Sequence, residues 1–263
     1  EVVHSRNWLN CDIEQLRSAV KLVNKFGREK GDRGLPHLLP GLNFIAGLNG
    51  ETEKTYSKNL DLLRSLRKDG LWLRRINIRQ VEGNSFQEVN TKQFKKFKNT
   101  VREEIDRPTL EEIFPIGSKL RDVFWEAHND RIRRPEQVTE YIHRDSDIYG
   151  SPGITFGRQI GAYPILVGVP YRIQLERKSD IMVTGHGSRS ITGVEMELNI
   201  NKVSERQLEA IPGVGKKSSW KIVSNRAKIR STSPSIPFSS VREAFEAVDL
   251  EVPHYAEEVL VAL

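Results

Sequence analysis

The sequence predicts an α/β region that gives way to a β-rich region and then to a helical one. Three observations predict it. Before residue 113, apolar positions recur at helical spacing in three segments, and two strand-like segments lie between them; that order favours a parallel sheet. After Phe114, proline and glycine become frequent and apolar runs shorten to strand length. From Asn199 helical spacing returns around a glycine-containing turn. The expected regions are residues 1–113, 114–198 and 199–263.

The first helix is expected over Asp12 to Phe26, where Ile13, Leu16, Ala19, Val20, Val23 and Phe26 form one apolar face and Asp12 is an N-cap. The charged, glycine-rich stretch Gly27 to Gly34 reads as a loop. Leu42 to Leu48 is a short apolar strand that runs into Gly50-Glu51-Thr52. The next helix, Thr52 to Asp69, presents Tyr56, Leu60, Leu63 and Leu66 and is closed by Gly70; Glu51 and Glu53 are expected in its first turn. Leu71 to Val81 alternates as a strand. Thr91 to Ile105 is a basic helix expected to end before Arg107-Pro108.

Five short runs follow: Lys119 to Glu126, Ile154 to Gly157, Pro164 to Val169, Asp180 to Thr184 and Thr192 to Asn199. Strands of this length with turn signals between them suggest a small β-barrel or sandwich. The charged stretch Arg131 to Gly150 lacks periodicity and reads as an inserted loop (131–150). Ser204-x-x-Gln207 is a capping box for a short helix to Ala210. A tight turn, Ile211-Pro212-Gly213-Val214-Gly215, leads into a helix beginning at Lys216. Beyond the Ser/Pro linker Ser231 to Pro237, helices are expected over Ser240 to Val248 and Pro253 to Leu263.

The chain has 263 residues, 37% hydrophobic and 29% charged. No apolar run reaches the roughly 20 residues of a transmembrane helix. The single cysteine, Cys11, excludes an internal disulfide and points to a reducing, cytoplasmic setting. Glu1 stands where a methionine would open a gene product, as in a processed or an N-terminally incomplete chain. Positive charge is concentrated. Asn201 to Arg230 holds eight bases against two acids, equal to the +6 of the whole chain, and Ser231 to Leu263 holds one base against six acids. A basic segment of this kind attracts polyanions, or else is a solvated helix face.

The binding chemistry concentrates in Leu208 to Arg226, LEAIPGVGKKSSWKIVSNR. Gly213 and Gly215 permit a tight turn. Backbone amides then open the following helix, where a phosphate is favoured by the helix dipole, and Lys216, Lys217 and Lys221 add charge. Nothing here reads base edges, so binding is expected to be sequence-independent and salt-sensitive. A helical hairpin with surface lysines is the alternative. The stretch resembles a helix-hairpin-helix motif, and the last two helices look like a degenerate, acidic repeat of it. It is not a P-loop, because Ala210 stands where that loop needs glycine. The histidines show no metal-ligand spacing, no catalytic triad is readable, and no metal ligand or catalytic residue is assigned.

Asn43-x-Ile45-x-Gly47-Leu48-x-Gly50-Glu51-Thr52-Glu53-x-Thr55-Tyr56 resembles a late β/α unit of the radical SAM enzymes, especially the methylthiotransferases. The longer run Gly34 to Val81 resembles an archaeal-type radical SAM group. The stretches Gly157-Arg158-Gln159, Pro164 to Val169, Asp180 to Thr184 and Ile191-Thr192-Gly193 resemble a TRAM domain, an OB-like RNA-binding barrel; an unrelated β-barrel is the other reading. The resemblance implies a partial (β/α) barrel, then a small β-barrel, then a helix-hairpin-helix domain. It implies a nucleic-acid substrate, RNA favoured over DNA, and no membrane.

For the intact protein the resemblance also implies a 4Fe-4S cluster and S-adenosylmethionine, with Gly47, Gly50 and Glu51 near the cofactor. Glu51 could equally be a charge complementing the helix first turn. Cys11 cannot hold the cluster by itself, so no cofactor is expected on this chain as given, and the resemblance implies an N-terminally incomplete enzyme. A non-catalytic nucleic-acid-binding protein retaining a barrel remnant is the alternative. A partial barrel would leave sheet edges open.

Overall fold

The computed structural model describes residues 2–7, 9, 12–81, 83, 86, 88–129, 149–159, 161, 164–232 and 236–263. Cys11, His143, most of the stretch Arg131 to Gly150 and the centre of the Ser/Pro linker lie outside the described residues. The chain divides into two units, Glu1–Ile113 and Phe114–Leu263.

In the first unit a short helix α1 (Val2–Arg6) precedes α2 (Ile13–Gly27). Asp12 caps α2: its carboxylate accepts from the Gln15 amide at 2.7 Å, and the Gln15 side chain accepts from the Asp12 amide, as a capping box requires. Strands β1 (Gly41–Ala46) and β2 (Arg75–Gln80) flank helix α3 (Glu53–Lys68) and pair parallel, with Leu42 opposite Ile76 and Phe44 opposite Ile78. The helices pack on one face of this pair. Leu42, Leu63, Leu66, Ile76, Phe97, Val101 and Ile105 form the core, and Phe97 meets Phe44 edge-on at 5.9 Å. Buried Asn24 of α2 exchanges two hydrogen bonds with the Trp72 backbone, of 2.8 and 3.0 Å, which fixes where the chain enters β2.

Both strands are shorter than expected. β2 begins at Arg75 rather than Leu71, because Leu73 is drawn into the core before the ladder starts. β1 stops at Ala46, because Gly47 and Gly50 adopt left-handed backbone, with φ of 94° and 89°, which ends an extended strand.

The basic helix also departs from expectation. α4 (Thr91–Val101) continues through a π-helical turn (Arg102–Asp106) into α5 (Arg107–Ile113). The Arg107 N–H reaches five residues back to the Arg102 carbonyl. The wider turn lets the helix run on into Pro108, which falls at the second position of α5, where a missing N–H leaves few bonds unmade.

Burial lifts the carboxyl of Asp106, in that π turn, to about 7, against the opposing pull of Arg102 and Arg75. The folded chain holds a proton there that the unfolded chain releases near the ordinary aspartate value. Stability from this group is therefore full at low pH and is lost as pH rises toward 7. Asp106→Asn is expected to raise the Tm at about pH 8 and to leave it nearly unchanged below about pH 4, checked by thermal melts across that range. The ceiling is about 1.4 kcal/mol per pH unit separating the two states.

The second unit opens with a closed five-stranded barrel in the order β3-β4-β5-β7-β6: β3 (Lys119–Asn129), β4 (Pro152–Gln159), β5 (Leu166–Tyr171), β6 (Lys178–His186) and β7 (Ser190–Glu195). All seams are antiparallel except β5 with β7. Trp125 fills the interior, its indole N–H donating to Ser179 Oγ at 2.8 Å. A side chain at Gly157 would lie 2.5 Å from the Phe124 carbonyl and 2.7 Å from the Trp125 ring; one at Gly193 would lie 2.6 Å from Ile181 Cδ1. Close packing thus accounts for both glycines.

Glu195, 2% exposed, is the polar centre of the barrel. It pairs with Arg177 and accepts from the Tyr149 hydroxyl at 2.9 Å, while its own N–H donates to Tyr171 Oη at 2.8 Å. The Arg177 guanidinium lies over the Tyr149 ring. Burial raises the Glu195 carboxyl, and Arg177 and Tyr149 pull it back down.

The remainder contains β8 (Leu198–Asn199), α6 (Glu205–Glu209), α7 (Lys216–Thr232), α8 (Val241–Glu246), α9 (His254–Val259) and β9 (Leu260–Val261). The last helix does not run to Leu263. Leu260 and Val261 pair parallel with Leu198 and Asn199 instead, because the apolar Leu260 side chain is buried there in extended backbone. Among the described residues no helix is long and apolar enough to cross a membrane.

Candidate functional site

Two sets of residues carry the functional expectation, one in each unit. The first is the loop between β1 and α3. Thr52 is the N-cap of α3, so Glu51 precedes the helix and does not complement its first turn as expected. Its side chain is 8% exposed and turns back to accept from the Gly47 amide at 2.8 Å. The structure thus brings Glu51 onto Gly47, with Gly50 at the bend between them. Burial raises the Glu51 carboxyl and the Gly47 hydrogen bond partly offsets this; burial and Glu51 together raise the Tyr56 hydroxyl. What the carboxylate does here is hold a loop whose two glycines have left-handed backbone. Beside it, the face of β1 and β2 away from the helices carries Asn43, Ile45, Arg75 and Arg79, all exposed, with Asn77 donating to Asn43 Oδ1 at 2.9 Å.

The second set is the turn between α6 and α7. Ser204 caps α6 reciprocally with Gln207. Ile211 and Val214 are buried on either side of Gly213 and anchor the turn. Gly213 has φ of 89°, and a Cβ there would meet Pro253 Cβ at 2.9 Å. The glycine is therefore demanded both by the backbone and by α9's leading proline. Gly215 differs: a Cβ on it would meet nothing within 4 Å. The first amide of α7 to reach back is that of Ser219, to the Gly215 carbonyl at 3.0 Å. The amides of Gly215, Lys216, Lys217 and Ser218 have no carbonyl partner among the described residues, as at any helix start.

Lys216, Lys217 and Lys221 are exposed, and among the described residues they form no ion pair. Two of the eight bases in the segment work inward. Arg226 is buried and donates to the Ile200 carbonyl at 2.8 Å, and Arg230 donates to the Asn201 carbonyl at 2.6 Å. Arg206 pairs with Glu209. Free charge is thus concentrated on the outward face of α7.

Sequence reasoning missed one residue on that face. Trp220 is 59% exposed, one turn beyond Lys216 and Lys217. α7 buries Ser219, Ile222 and Arg226, and position 220 lies off that stripe at helical spacing, but a stripe made of a serine, an isoleucine and an arginine leaves no apolar periodicity in the sequence.

The hairpin formed by α8 and α9 bends at Asp249, which has φ of 55°, and carries Glu257 and Glu258 instead of lysines. Its helices have six residues each. Among the described residues no three His, Cys, Asp or Glu side chains converge to hold a metal ion.

No protein-family model matches the chain. An uncharacterized protein of Archaeoglobus fulgidus is 36% identical over 223 residues, covering 81% of this chain and 38% of that protein. An uncharacterized protein of Methanocaldococcus jannaschii is 36% identical over 204 residues, covering 73% and 34%. The chain therefore spans less than half the length of these relatives.

Proposed function

We propose that this chain is the C-terminal portion of a radical SAM iron–sulfur enzyme that acts on a nucleic acid, RNA favoured over DNA. In this reading the second unit comprises a TRAM-like barrel and a helix-hairpin-helix region that hold the substrate. The observation that carries nucleic-acid binding is the α6–α7 turn. There open amides, the unobstructed Gly215 and the unpaired Lys216, Lys217 and Lys221 share one exposed surface. A glycine required by neither packing nor left-handed backbone leaves room for a phosphate to approach the main chain.

The enzyme part rests on the resemblance of the Asn43 to Tyr56 segment, and is supported by the parallel β–α–β order around Gly47, Gly50 and Glu51. This chain's residues do not fit the 4Fe-4S cluster, since its one cysteine is Cys11. The cluster, and with it the chemistry on S-adenosylmethionine, would be supplied by residues of the intact protein outside this sequence. The lone cysteine equally favours the second reading, a non-catalytic nucleic-acid-binding protein with a barrel remnant. The gene upstream of Glu1 separates the two: three closely spaced cysteine codons in frame support the enzyme, and a stop codon without them overturns it.

Binding itself is tested by salt titration. Lys216→Ala with Lys217→Ala removes about two phosphate-directed charges, so the log–log salt slope on a duplex is expected to shrink by about one to two units, uniformly across sequences. An unchanged slope would make the hairpin structural and turn attention to the basic stretch Lys92 to Arg102.

A further inference from the structure

We propose that the outward face of α7 is a surface for single-stranded nucleic acid, on which the Trp220 indole stacks an unpaired base while Lys216, Lys217, Lys221 and Lys228 hold flanking phosphates. The proposal rests on the nucleic-acid reading above and narrows it to a substrate class. The helix is oriented against ordinary burial preference. It turns Ser219 and Arg226 inward and leaves its one aromatic side chain in water, although an indole gains more from burial than either. Among the described residues no aromatic ring or cation sits on the Trp220 ring.

The surroundings supply the charge. Lys216 and Lys217 lie four and three residues before Trp220, neighbouring positions on a helix surface, and Lys221 adjoins it. Lys228 lies about 16 Å beyond Lys217 at the rise of an α-helix. These four lysines are exposed and without ion pairs among the described residues. An exposed π-face within unpaired positive charge is complementary to a base flanked by phosphates, because every base offers a π-face and stacking tolerates any sequence. In a duplex the bases are already stacked on one another, so the indole has no face to meet there. The lysines then bind both forms, and Trp220 adds affinity for the single strand.

The experiment uses fluorescence anisotropy on the whole 263-residue chain, with an oligoadenylate of about 12 nucleotides and the same strand paired in a duplex. Trp220→Ala and Trp220→Leu are expected to weaken single-strand binding roughly ten-fold, at the scale of one stacked base, and to leave duplex binding unchanged. Trp220→Phe, which keeps an aromatic face, should retain most of the affinity. Circular dichroism should superimpose for all variants. Equal loss in both forms, or no loss in either, overturns the stacking role while leaving phosphate binding intact. If the wild-type chain binds neither form, the nucleic-acid reading falls as well. Binding to phosphatidylserine vesicles that Trp220→Ala abolishes, with oligonucleotide binding unaffected, would overturn the proposal in favour of a lipid surface.

Discussion

Gly213→Val is expected to lower the Tm of the second unit and to weaken nucleic-acid binding by more than ten-fold. Two independent costs coincide at this position. The backbone sits at φ of 89°, where an L-residue loses roughly 1–2 kcal/mol and a β-branched one more. The new Cβ would also lie 2.9 Å from Pro253 Cβ, so either α9 or the turn must shift. A shifted turn moves the amides that open α7, and binding falls with stability. Gly215→Ala provides the contrast. It meets nothing within 4 Å, so its melt should fall only by the small cost of alanine in place of glycine at the residue that opens α7, well short of Gly213→Val, while binding weakens because the added methyl occupies the approach to the main chain. Paired melts and binding isotherms check both. A Gly213→Val protein that melts and binds as wild type would show that the turn adapts without consequence.

Glu195→Ala is expected to destabilise the barrel. The carboxylate is buried and serves the Arg177 guanidinium and the Tyr149 hydroxyl together. Removing it strands an arginine whose Nε already has no hydrogen-bond partner. Because the Arg177 side chain is 38% exposed and keeps access to water, the cost is expected at about 2 kcal/mol, below the about 3–5 kcal/mol of a fully buried pair, or a fall of roughly 5 °C in Tm for a unit of this size. Glu195→Gln keeps one acceptor oxygen of the two in use and replaces the other with an NH2 donor, so it removes the charge and one hydrogen bond and should cost less. The two variants are compared by thermal or denaturant unfolding. A loss below about 1 kcal/mol for Glu195→Ala would mean that water or a neighbouring group takes the carboxylate's place.

What could be read in the chain beforehand follows a physical division. Capping chemistry lies within four consecutive residues, so Asp12 as an N-cap and Ser204 with Gln207 were legible, as was the start of α7 at Lys216. The parallel pairing of β1 and β2 followed from the alternation of helices and strands. The β8–β9 pairing was not legible, because Leu198 and Leu260 are joined by tertiary contact and the last residues are equally compatible with a helix. The π turn before Pro108 was hidden because a one-residue widening of a helix leaves no mark in hydrophobic periodicity. In the candidate site, Gly213, Gly215 and the lysines were visible as residue types. The backbone turn of Glu51 to Gly47, and the inward use of Arg226 and Arg230, depend on which carbonyls and amides the fold brings near. Trp220 was overlooked because an aromatic residue is ordinarily assigned to a core.

Closure of the β3–β7 ring limits how this region can change over evolutionary time. An open sheet can gain, lose or lend an edge strand by small steps, because one seam is affected at a time. Here each strand is bonded on both sides, so losing any one breaks two seams and no smaller increment exists. Variation is channelled into the connections. Lengthening a flexible connection costs only about 0.6 kcal/mol per doubling, while altering a strand disturbs an interior built around one tryptophan and one buried acid. The connection from β3 to β4 spans residues 130–151. Its end carries Tyr149, tied to the buried acid, so a lineage that adds a contact there keeps the ring unchanged only by keeping that tyrosine.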